Sequence, residues 1–481
     1  MDISSKDLHV AILSSPGMGH LIPVLVLANR LAASHKIKVT VLLVTTGVAL
    51  PESNLLKLPL DQSLVEFIEL PPVDISHLVG PSTQVVTQLC IMVREALPLL
   101  HSAIASMDRR PDALFVDPFG TEALPIAAEF NMAKYVYVPS TAWFTALTVY
   151  CPVLDKEIQG QFVDQQEHLK IPGCKVVRPE DVVDPMLDRN DQQYNEYIKI
   201  GKQIPLFDGI LLNTWEELEP KTLQAFKENH ILSSLVNFPI YPIGPLTRPI
   251  EPAGSDPDLI QWLDKQPNES VIFVSFGSGG MLSAQQIIEL AWGLELSQQR
   301  FVWVIRPPTK GRVDDAFFNV GNGSDDNPDY LPDGFLTRIR DVGKLVPMWA
   351  QQVKILSHPS IGGFMSHCGW NSTLESITSD VPIIAWPLYA EQRLNATLLT
   401  KELGVAVRPK VLPTKEVVGR EEIEKMVRTI MEGKEGVVMR DNVKKLKIGA
   451  MNAHENNGSS YKSMCELVMD IIVRKGDIIG V

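Results

Sequence analysis

Short apolar runs that alternate with amphipathic segments restrict the fold of this chain more than any other feature. Residues 9–14 (HVAILS) form such a run, Pro and Gly interrupt it at 15–19, and helical spacing of apolar residues follows over 22–33. Strands buried on both faces read as continuous apolar runs, and helical connections between them make a parallel sheet. Further runs lie at 39–44, 66–70, 113–116 and 135–138, with a predicted helix over 121–130.

A second series of the same kind follows a stretch rich in Pro and Gly at 241–257. Ser283 is the predicted N-cap of a helix over 283–296, because a Ser side chain accepts from the first free amides of a helix. The polar residues 307–332 are predicted to form a long loop, and 423–473 are mostly amphipathic helix. The strand-like runs of this half are 270–275, 301–305, 344–349, 363–366 and 381–386.

The predicted fold class is therefore α/β, with two doubly wound, Rossmann-like domains. We expect an N-terminal domain over residues 1–245, a linker over 246–258 and a C-terminal domain over 259–481, whose last helix has the length to pack back on the first domain. Ligands of such sheets bind beyond the carboxyl ends of the strands. The sequence therefore predicts a binding cleft between two facing sheets.

Charge and cysteine usage exclude several classes of function. The formal net charge is −13, and no run of Lys and Arg provides the positive potential that nucleic acid requires. The five cysteines are widely spaced and include no C-x-x-C pair, which argues against a zinc or redox motif. The N-terminus lacks the pattern of a signal peptide, and no stretch of about 18 apolar residues follows. A cytoplasmic protein without a membrane span is expected.

Two polar residues follow strands of the N-terminal half. His20 lies at the start of the first predicted helix, where the helix N-terminus favours a neutral imidazole, and Asp117 ends the 113–116 strand. A carboxylate beside an imidazole orients it as a general base, although a His after a turn is more often structural. The third glycine of a dinucleotide motif would fall on Ile22, which argues against a nicotinamide-dependent oxidoreductase.

The C-terminal half carries a denser pattern, Ser-His-Cys-Gly-Trp-Asn-Ser-Thr at 366–373. Gly369 allows close approach of a ligand. The backbone amides that follow it form the N-terminus of a helix predicted over 374–378, and such amides can bind a diphosphate. Glu375 is placed two residues into that helix and could accept from ribose hydroxyls. Trp349 ends a predicted strand and could stack on a base, while core packing is the alternative for Trp349 and for Trp370.

Residues 349–392 resemble the signature box of plant secondary-product UDP-glycosyltransferases, which are glycosyltransferases of family 1 with the GT-B fold. The box runs from Trp-Ala-x-Gln through His-Cys-Gly-Trp-Asn-Ser-x-x-Glu to an acidic residue and Gln. The resemblance covers essentially the whole chain. Several segments are similar to one branch of the family, which glucosylates hydroquinone, monolignols and other small phenolics. Gln351 replaces the usual Pro, Lys354 is atypical, and Asp380 stands where Gly is common.

The resemblance implies a role for each matching residue. His20 would deprotonate the acceptor and Asp117 would balance its charge. The acceptor would contact Val86, Phe119 and Trp143, with Tyr389 from the other domain. The UDP-sugar residues would be Trp349 and Ala350 for uracil; Gln352 and Glu375 for ribose; Ser15, Ser278, His367, Gly369, Asn371 and Ser372 around the diphosphate; and Thr141, Trp370, Glu391 and Gln392 for glucose.

The expected activity is inverting transfer of glucose from UDP-glucose, a co-substrate, to the hydroxyl of a small aromatic acceptor. The resemblance implies no metal and no cofactor, and we expect a monomer without a nucleic-acid partner. The alternative is a non-catalytic UDP-sugar-binding protein with the same fold.

Overall fold

Residues 8–45, 63–249, 257–309, 311 and 330–479 are described by the computed structural model. The chain divides into two units with separate sheets. Unit 1 comprises Met1–Glu180, Pro185–Arg248 and Ala450–Val481, and unit 2 comprises Asp181–Asp184 and Pro249–Gly449.

The sheet of unit 1 contains seven parallel strands in the order β3-β2-β1-β4-β5-β6-β7. Its central strands are apolar along their whole length because helices cover both faces. Register places Val10 of the first strand beside Val39 and Ala113. The strands are β1 His9–Ser14, β2 Lys38–Leu43, β3 Val65–Glu69, β4 Ala113–Val116, β5 Ala133–Val138, β6 Gly209–Leu212 and β7 Ile240–Pro242.

The helices of unit 1 connect these strands. They are α1 Met18–His35, α2 Val85–Ala105, α3 Leu124–Glu129, α4 Ala142–Glu157, α5 Gln192–Gln203, α6 Pro220–Glu228 and α7 His230–Leu235, with a 3-10 helix at Pro118–Ala123. The predicted helix over 121–130 is therefore a 3-10 turn followed by a short α-helix. Two prolines in this segment, Pro118 and Pro125, each remove a backbone donor and favour such a break.

The C-terminal helix completes the core of unit 1. Met464, Leu467 and Ile471 are buried in the core of this unit, where their helix packs on β5 and β7. At the polar edge of this contact, the Tyr135 hydroxyl donates to Asp470 Oδ2 at 2.6 Å, and Lys475 Nζ lies 3.0 Å from Asp112 Oδ1.

The sheet of unit 2 contains six parallel strands in the order β10-β9-β8-β11-β12-β13. The strands are β8 Val271–Ser275, β9 Arg300–Ile305, β10 Gly343–Pro347, β11 Ile361–Ser366, β12 Ile383–Ala385 and β13 Ala406–Val407. The helices are α8 Pro257–Asp264, α9 Ala284–Ser297, α10 Phe335–Arg338, α11 Gln352–Leu356, α12 Trp370–Thr378, α13 Gln392–Thr397, α14 Arg420–Met431, α15 Lys434–His454 and α16 Ser459–Ile479, the last of which belongs to unit 1.

The Pro- and Gly-rich stretch from 241 begins inside the edge strand β7, where Tyr241 is buried and Pro242 sits at a position that needs no ladder donor. Two predicted boundaries were wrong. β10 ends at Pro347, so Trp349 lies in the following loop. α12 begins at Trp370, which makes Glu375 its sixth residue. Ser283 does cap α9, since its hydroxyl accepts from the Gln286 amide at 3.2 Å.

Most of the predicted loop over 307–332 lies outside the described residues. Within the part of the chain that the structure covers, no helix has the length and apolar character to cross a membrane.

Candidate active site

His20 and Asp117 meet at the carboxyl ends of β1 and β4. The Gly17 backbone, at φ 104°, turns the chain into α1, and His20 is the third residue of that helix. Its Nδ1 lies 3.1 Å from Asp117 Oδ2, although the angle falls outside hydrogen-bond geometry. The Asp117 carboxylate is almost fully buried, while a fifth of the His20 side chain is exposed. The imidazole is thus held from one side and open on the other.

The buried Asp117 carboxylate is supported by four hydrogen-bond donors. Oδ1 accepts from the Ser15 hydroxyl at 2.7 Å and from the amides of Phe119 and Gly120 at 3.1 and 3.3 Å. Oδ2 accepts from the Ser15 amide at 3.2 Å. These bonds satisfy the oxygens of a buried acid and fix its direction toward His20.

Ser15, which the resemblance assigns to the diphosphate, is bonded to Asp117 in this structure. Its hydroxyl hydrogen is used by the carboxylate, so that hydroxyl has no second proton to donate to a phosphate oxygen.

The residues expected to contact the acceptor lie in different settings. The centroids of the Phe119 and His20 rings are 5.1 Å apart, so Phe119 lies beside the imidazole. Val86 is half-buried near the start of α2. Trp143 is almost fully buried in α4. Tyr389 of unit 2 is half-buried. The structure thus places Phe119 beside His20 and Trp143 in the core.

Thr141 caps the N-terminus of α4. Its hydroxyl oxygen accepts from the Phe144 amide at 2.8 Å, and the residue is fully buried. A buried acid, Glu219, accepts from the Ala142 and Trp143 amides at 2.9 and 3.1 Å. Burial raises the pKa of Glu219, and the two amides oppose that effect.

In unit 2, His367 lies between two glycines at the ends of β8 and β11. A Cβ on Gly277 would lie 2.5 Å from the His367 ring, and a Cβ on Gly369 would lie 2.4 Å from Nε2, so neither position accepts a side chain. Burial, with the neighbouring Arg306 guanidinium, lowers the pKa of His367 to about 4. Among the described residues Nδ1 has no hydrogen-bond partner. A neutral imidazole here can serve as a hydrogen-bond donor beside the first amides of α12.

The residues expected to hold the ribose are brought together by the structure. Gln352 Nε2 donates to Glu375 Oε2 at 2.6 Å and to Ser372 Oγ at 2.8 Å. Glu375 and Ser372 are buried on α12, whereas Gln352 is the first residue of α11. These bonds hold the Glu375 carboxylate in one orientation, and a carboxylate can accept from two hydroxyls.

The remaining expected contacts surround the same edge of the sheet. Trp349 is 45% exposed and free of the core. Trp370 is 2% exposed and is the first residue of α12, so its indole is packed in the core. Ala350 packs partly on the core, and Ser278 is exposed after β8. Asn371 is the second residue of α12.

The loop at residues 389–392 carries the last expected contacts. Gln392 is buried, and its Oε1 accepts from the Leu388 and Tyr389 amides at 2.9 and 3.0 Å, which leaves its NH₂ as the group that can donate elsewhere. Glu391 accepts from Asn395 Nδ2 at 3.3 Å. The Tyr389 and His367 rings lie 6.5 Å apart.

Three residues near these sites were missed by the sequence analysis. Arg306 donates to the carbonyls of Ser278 and Met348 and so links the loops after β8 and β10. Glu219 caps α4, and Asp184 bonds the 389–392 loop. For Arg306 a signal existed, because it directly follows a predicted strand. No group of His, Cys, Asp and Glu among the described residues is arranged to hold a metal ion.

Comparisons with known proteins agree with this geometry. The family model for "UDP-glucoronosyl and UDP-glucosyl transferase" matches residues 243–447. Anthocyanidin 3-O-glucosyltransferase 5 of Manihot esculenta is 55% identical over 466 residues, which cover 97% of this chain and 96% of the relative. Hydroquinone glucosyltransferase of Rauvolfia serpentina is 42% identical over 462 residues, covering 95% and 97%.

A solved structure extends the similarity to three dimensions. The crystal structure of TcCGT1 in complex with UDP has a TM-score of 0.89 and 46% identity, covering 97% of this chain and 99% of that one. Two parallel sheets and these neighbours define a glycosyltransferase with the GT-B fold. The chain belongs to the plant family 1 UDP-glycosyltransferases.

Proposed function

We propose that this enzyme transfers glucose from UDP-glucose to the hydroxyl of a small aromatic acceptor such as a phenol, a monolignol, a hydroquinone or an indoxyl-like compound. The observation that carries the proposal is the contact between His20 and the buried Asp117. A non-catalytic binding protein has no need of an oriented imidazole with an exposed edge. The names of glucosyltransferase relatives and a neighbour solved with UDP support the choice of donor.

In the proposed reaction, His20 takes the acceptor proton on Nε2, because Nδ1 faces Asp117. The acceptor oxygen forms a bond to the anomeric carbon as the bond from that carbon to the phosphate oxygen breaks, and UDP leaves. A single displacement inverts the anomeric carbon and gives a β-glucoside. Asp117 stabilises the imidazolium that forms.

The donor is proposed to bind unit 2. Trp349 stacks on uracil, the Gln352–Glu375 pair holds the ribose, and His367 with the first amides of α12 meets the diphosphate. Amides and a neutral imidazole bind an anion without net positive charge, so the charge of −13 is compatible with this ligand. The sugar is held by the 389–392 loop. We further propose a cytoplasmic monomer.

The experiment that tests this function is an acceptor screen with purified protein and UDP-glucose. We expect one hexose added to phenolic acceptors by mass spectrometry, UDP release that depends on the acceptor, and an anomeric proton coupling typical of a β-glucoside. Binding of UDP-glucose without product from any phenolic acceptor would identify the non-catalytic alternative instead. Glucosyl transfer with retention of the anomeric configuration would overturn the single-displacement mechanism.

A further inference from the structure

Asp184 holds the loop of residues 389–392 through two backbone groups of Ala390, its amide and its carbonyl. Its Oδ2 accepts from the Ala390 amide at 2.6 Å, and its own amide donates to the Ala390 carbonyl at 3.1 Å. Both groups belong to unit 2. These two bonds fix the orientation of the peptide units before and after Ala390, and the second of those leads directly into Glu391.

Ala390 needs such support because its backbone is left-handed, with φ 56°. That conformation is unfavourable for a residue with a Cβ, which then lies close to the carbonyl oxygen that follows it. It persists when the surrounding structure holds it in place. The Asp184 contacts supply that constraint from outside the loop.

A second contact anchors Asp184 itself. Arg393 Nη2 donates to Asp184 Oδ1, and Arg393 Nε donates to the Val182 carbonyl at 3.1 Å. The Arg393 side chain is 3% exposed, so its guanidinium is a buried cation whose charge is balanced by this carboxylate. One oxygen of Asp184 thus serves the loop backbone and the other serves the first turn of α13.

The segment Asp181–Asp184 is also held at its first residue by an ion pair. Asp181 is 1% exposed and forms a bidentate pair with Arg408, with bonds of 2.8 and 3.0 Å. Thr397 adds a hydroxyl donor to the same carboxylate at 2.9 Å. A rigid segment transmits its position to the loop better than a flexible one.

We propose that Asp184 is a positioning residue for the sugar-binding loop, and that it sets the affinity for the glucose half of the donor while leaving the UDP half unaffected. The inference rests on the proposed function, since it takes Glu391 and Gln392 as the sugar contacts. The Gln392 side chain holds the Leu388 and Tyr389 amides, and Asp184 holds the next one, Ala390. Three successive amides therefore depend on two side chains, of which only Gln392 lies in the loop.

The carboxylate is required because both of its oxygens accept. In an Asp184→Asn variant the amide oxygen can serve Ala390 or Arg393, and the NH₂ group then faces a second donor. An unmet donor beside a buried guanidinium is costly. The shape of the residue is retained while the loop loses one of its two anchors.

The test compares the affinities of UDP and UDP-glucose by titration calorimetry on the full chain. For Asp184→Asn we expect the Kd of UDP to stay within about 2-fold of wild type and the Kd of UDP-glucose to rise by about 10-fold, which is about 1.4 kcal/mol. The KM for UDP-glucose should rise in parallel. Equal loss for both ligands, or no loss for either, would overturn the proposal.

A matched control separates positioning from general destabilisation. Glu289 accepts from the same two kinds of group, a backbone amide and a guanidinium, although both belong to Arg420; the amide bond is 2.8 Å long. These residues join α9 to α14, and Glu289→Gln should leave the ratio of UDP-glucose to UDP affinity unchanged. A changed ratio in this control would mean that any lost ion pair of unit 2 disturbs the loop.

If Asp184→Asn does not fold, Arg393→Lys replaces it with the same measurement. Lysine keeps the charge but cannot bond Val182 and Asp184 together through a planar fork, so the same selective loss is expected. Failure of the proposed function would look different, since wild-type protein would then release no UDP with any acceptor. That result is obtained before any variant is compared.

Discussion

One oxygen of the Asp117 carboxylate lies 3.1 Å from His20 Nδ1, and the other accepts from the Ser15 hydroxyl at 2.7 Å. Ser15 therefore orients the Asp117 carboxylate, and the carboxylate in turn faces the imidazole of His20. This relationship fixes which ring nitrogen can accept a proton from a substrate.

Replacing His20 by Ala should reduce kcat by about 10²-fold or more, because general base catalysis contributes 10²–10⁴-fold. The Kd of UDP should not change, since the proposed UDP site is built from unit 2. Steady-state kinetics and calorimetry check the two halves of this prediction. Acceptors that ionise unaided at pH 7 should be less affected. Turnover close to wild type with a weakly acidic phenol would rule out His20 as the base.

Replacing Asp117 by Asn should also reduce kcat by about 10²-fold or more, with little change in the Kd of UDP. The amide retains an oxygen for the Phe119 and Gly120 amides, but it no longer stabilises an imidazolium and favours the wrong tautomer of His20. Circular dichroism should show a folded protein. If kcat stays within about 3-fold of wild type, the carboxylate has no part in proton transfer.

A methyl group at position 369 should damage UDP binding without backbone strain. Gly369 has φ −58°, a value open to any residue, but its Cβ would lie 2.4 Å from His367 Nε2. The Gly369→Ala variant should therefore displace the imidazole and raise the Kd of UDP by about 10-fold or more. Gly80→Ala is the control, because a Cβ there meets nothing within 4 Å. Unchanged UDP affinity in Gly369→Ala would show that the imidazole makes no contact with the diphosphate.

Folding stability should fall between pH 6.5 and about 4. Burial first, and then Lys38, lowers the pKa of His9 from 6.5 to about 4, and burial with Arg306 does the same for His367. In that window the unfolded chain binds more protons than the folded chain, so stability is lost as pH falls.

Urea unfolding at pH 7 and pH 5 measures this effect. The wild-type free energy of unfolding should be smaller at pH 5, and the difference should shrink in His367→Asn, which lacks that titrating group. An identical pH difference in the variant would contradict a depressed pKa at His367.

Much of the fold could be predicted from the sequence because its strands are continuous apolar runs. Residues 113–116 and 9–14 match β4 and β1, since buried parallel strands leave no polar alternation to obscure their ends. The edge strand β7 could not be predicted, because its Pro242 is typical of a linker and is tolerated only at an edge position. α12 was placed too late, since Trp370, Asn371 and Ser372 have weak helix propensity and tertiary burial outweighs it.

The candidate site also has contacts that could be predicted from the sequence and contacts that could not. Gln352 and Glu375 lie within the motif whose family resemblance implies a shared role for them, and the structure joins them by a bond of 2.6 Å. Asp184 and Ala390 are 206 residues apart. They meet through one bond to the Asp184 side chain and one bond between their backbones, which no local pattern encodes. Contacts of this kind depend on the path of the chain between elements, which a single sequence does not reveal.

The exposed indole of Trp349 allows the uracil platform to be tested with little risk to the fold. Because 45% of this side chain is exposed, its removal should cost little stability, whereas loss of stacking on a base should cost about 1–3 kcal/mol of binding. Trp349→Ala should therefore raise the Kd of UDP by about 5-fold to 150-fold, and Trp349→Phe should retain much of the affinity.

Trp292 is the control, since the guanidinium carbons of Arg338 and Arg420 lie 4.7 and 5.5 Å from its ring, a pair of cation–π contacts that stabilises the fold. Trp292→Ala should lower the melting temperature and leave the Kd of UDP unchanged. The opposite pattern, with binding retained in Trp349→Ala, would mean that uracil is held by its edge alone.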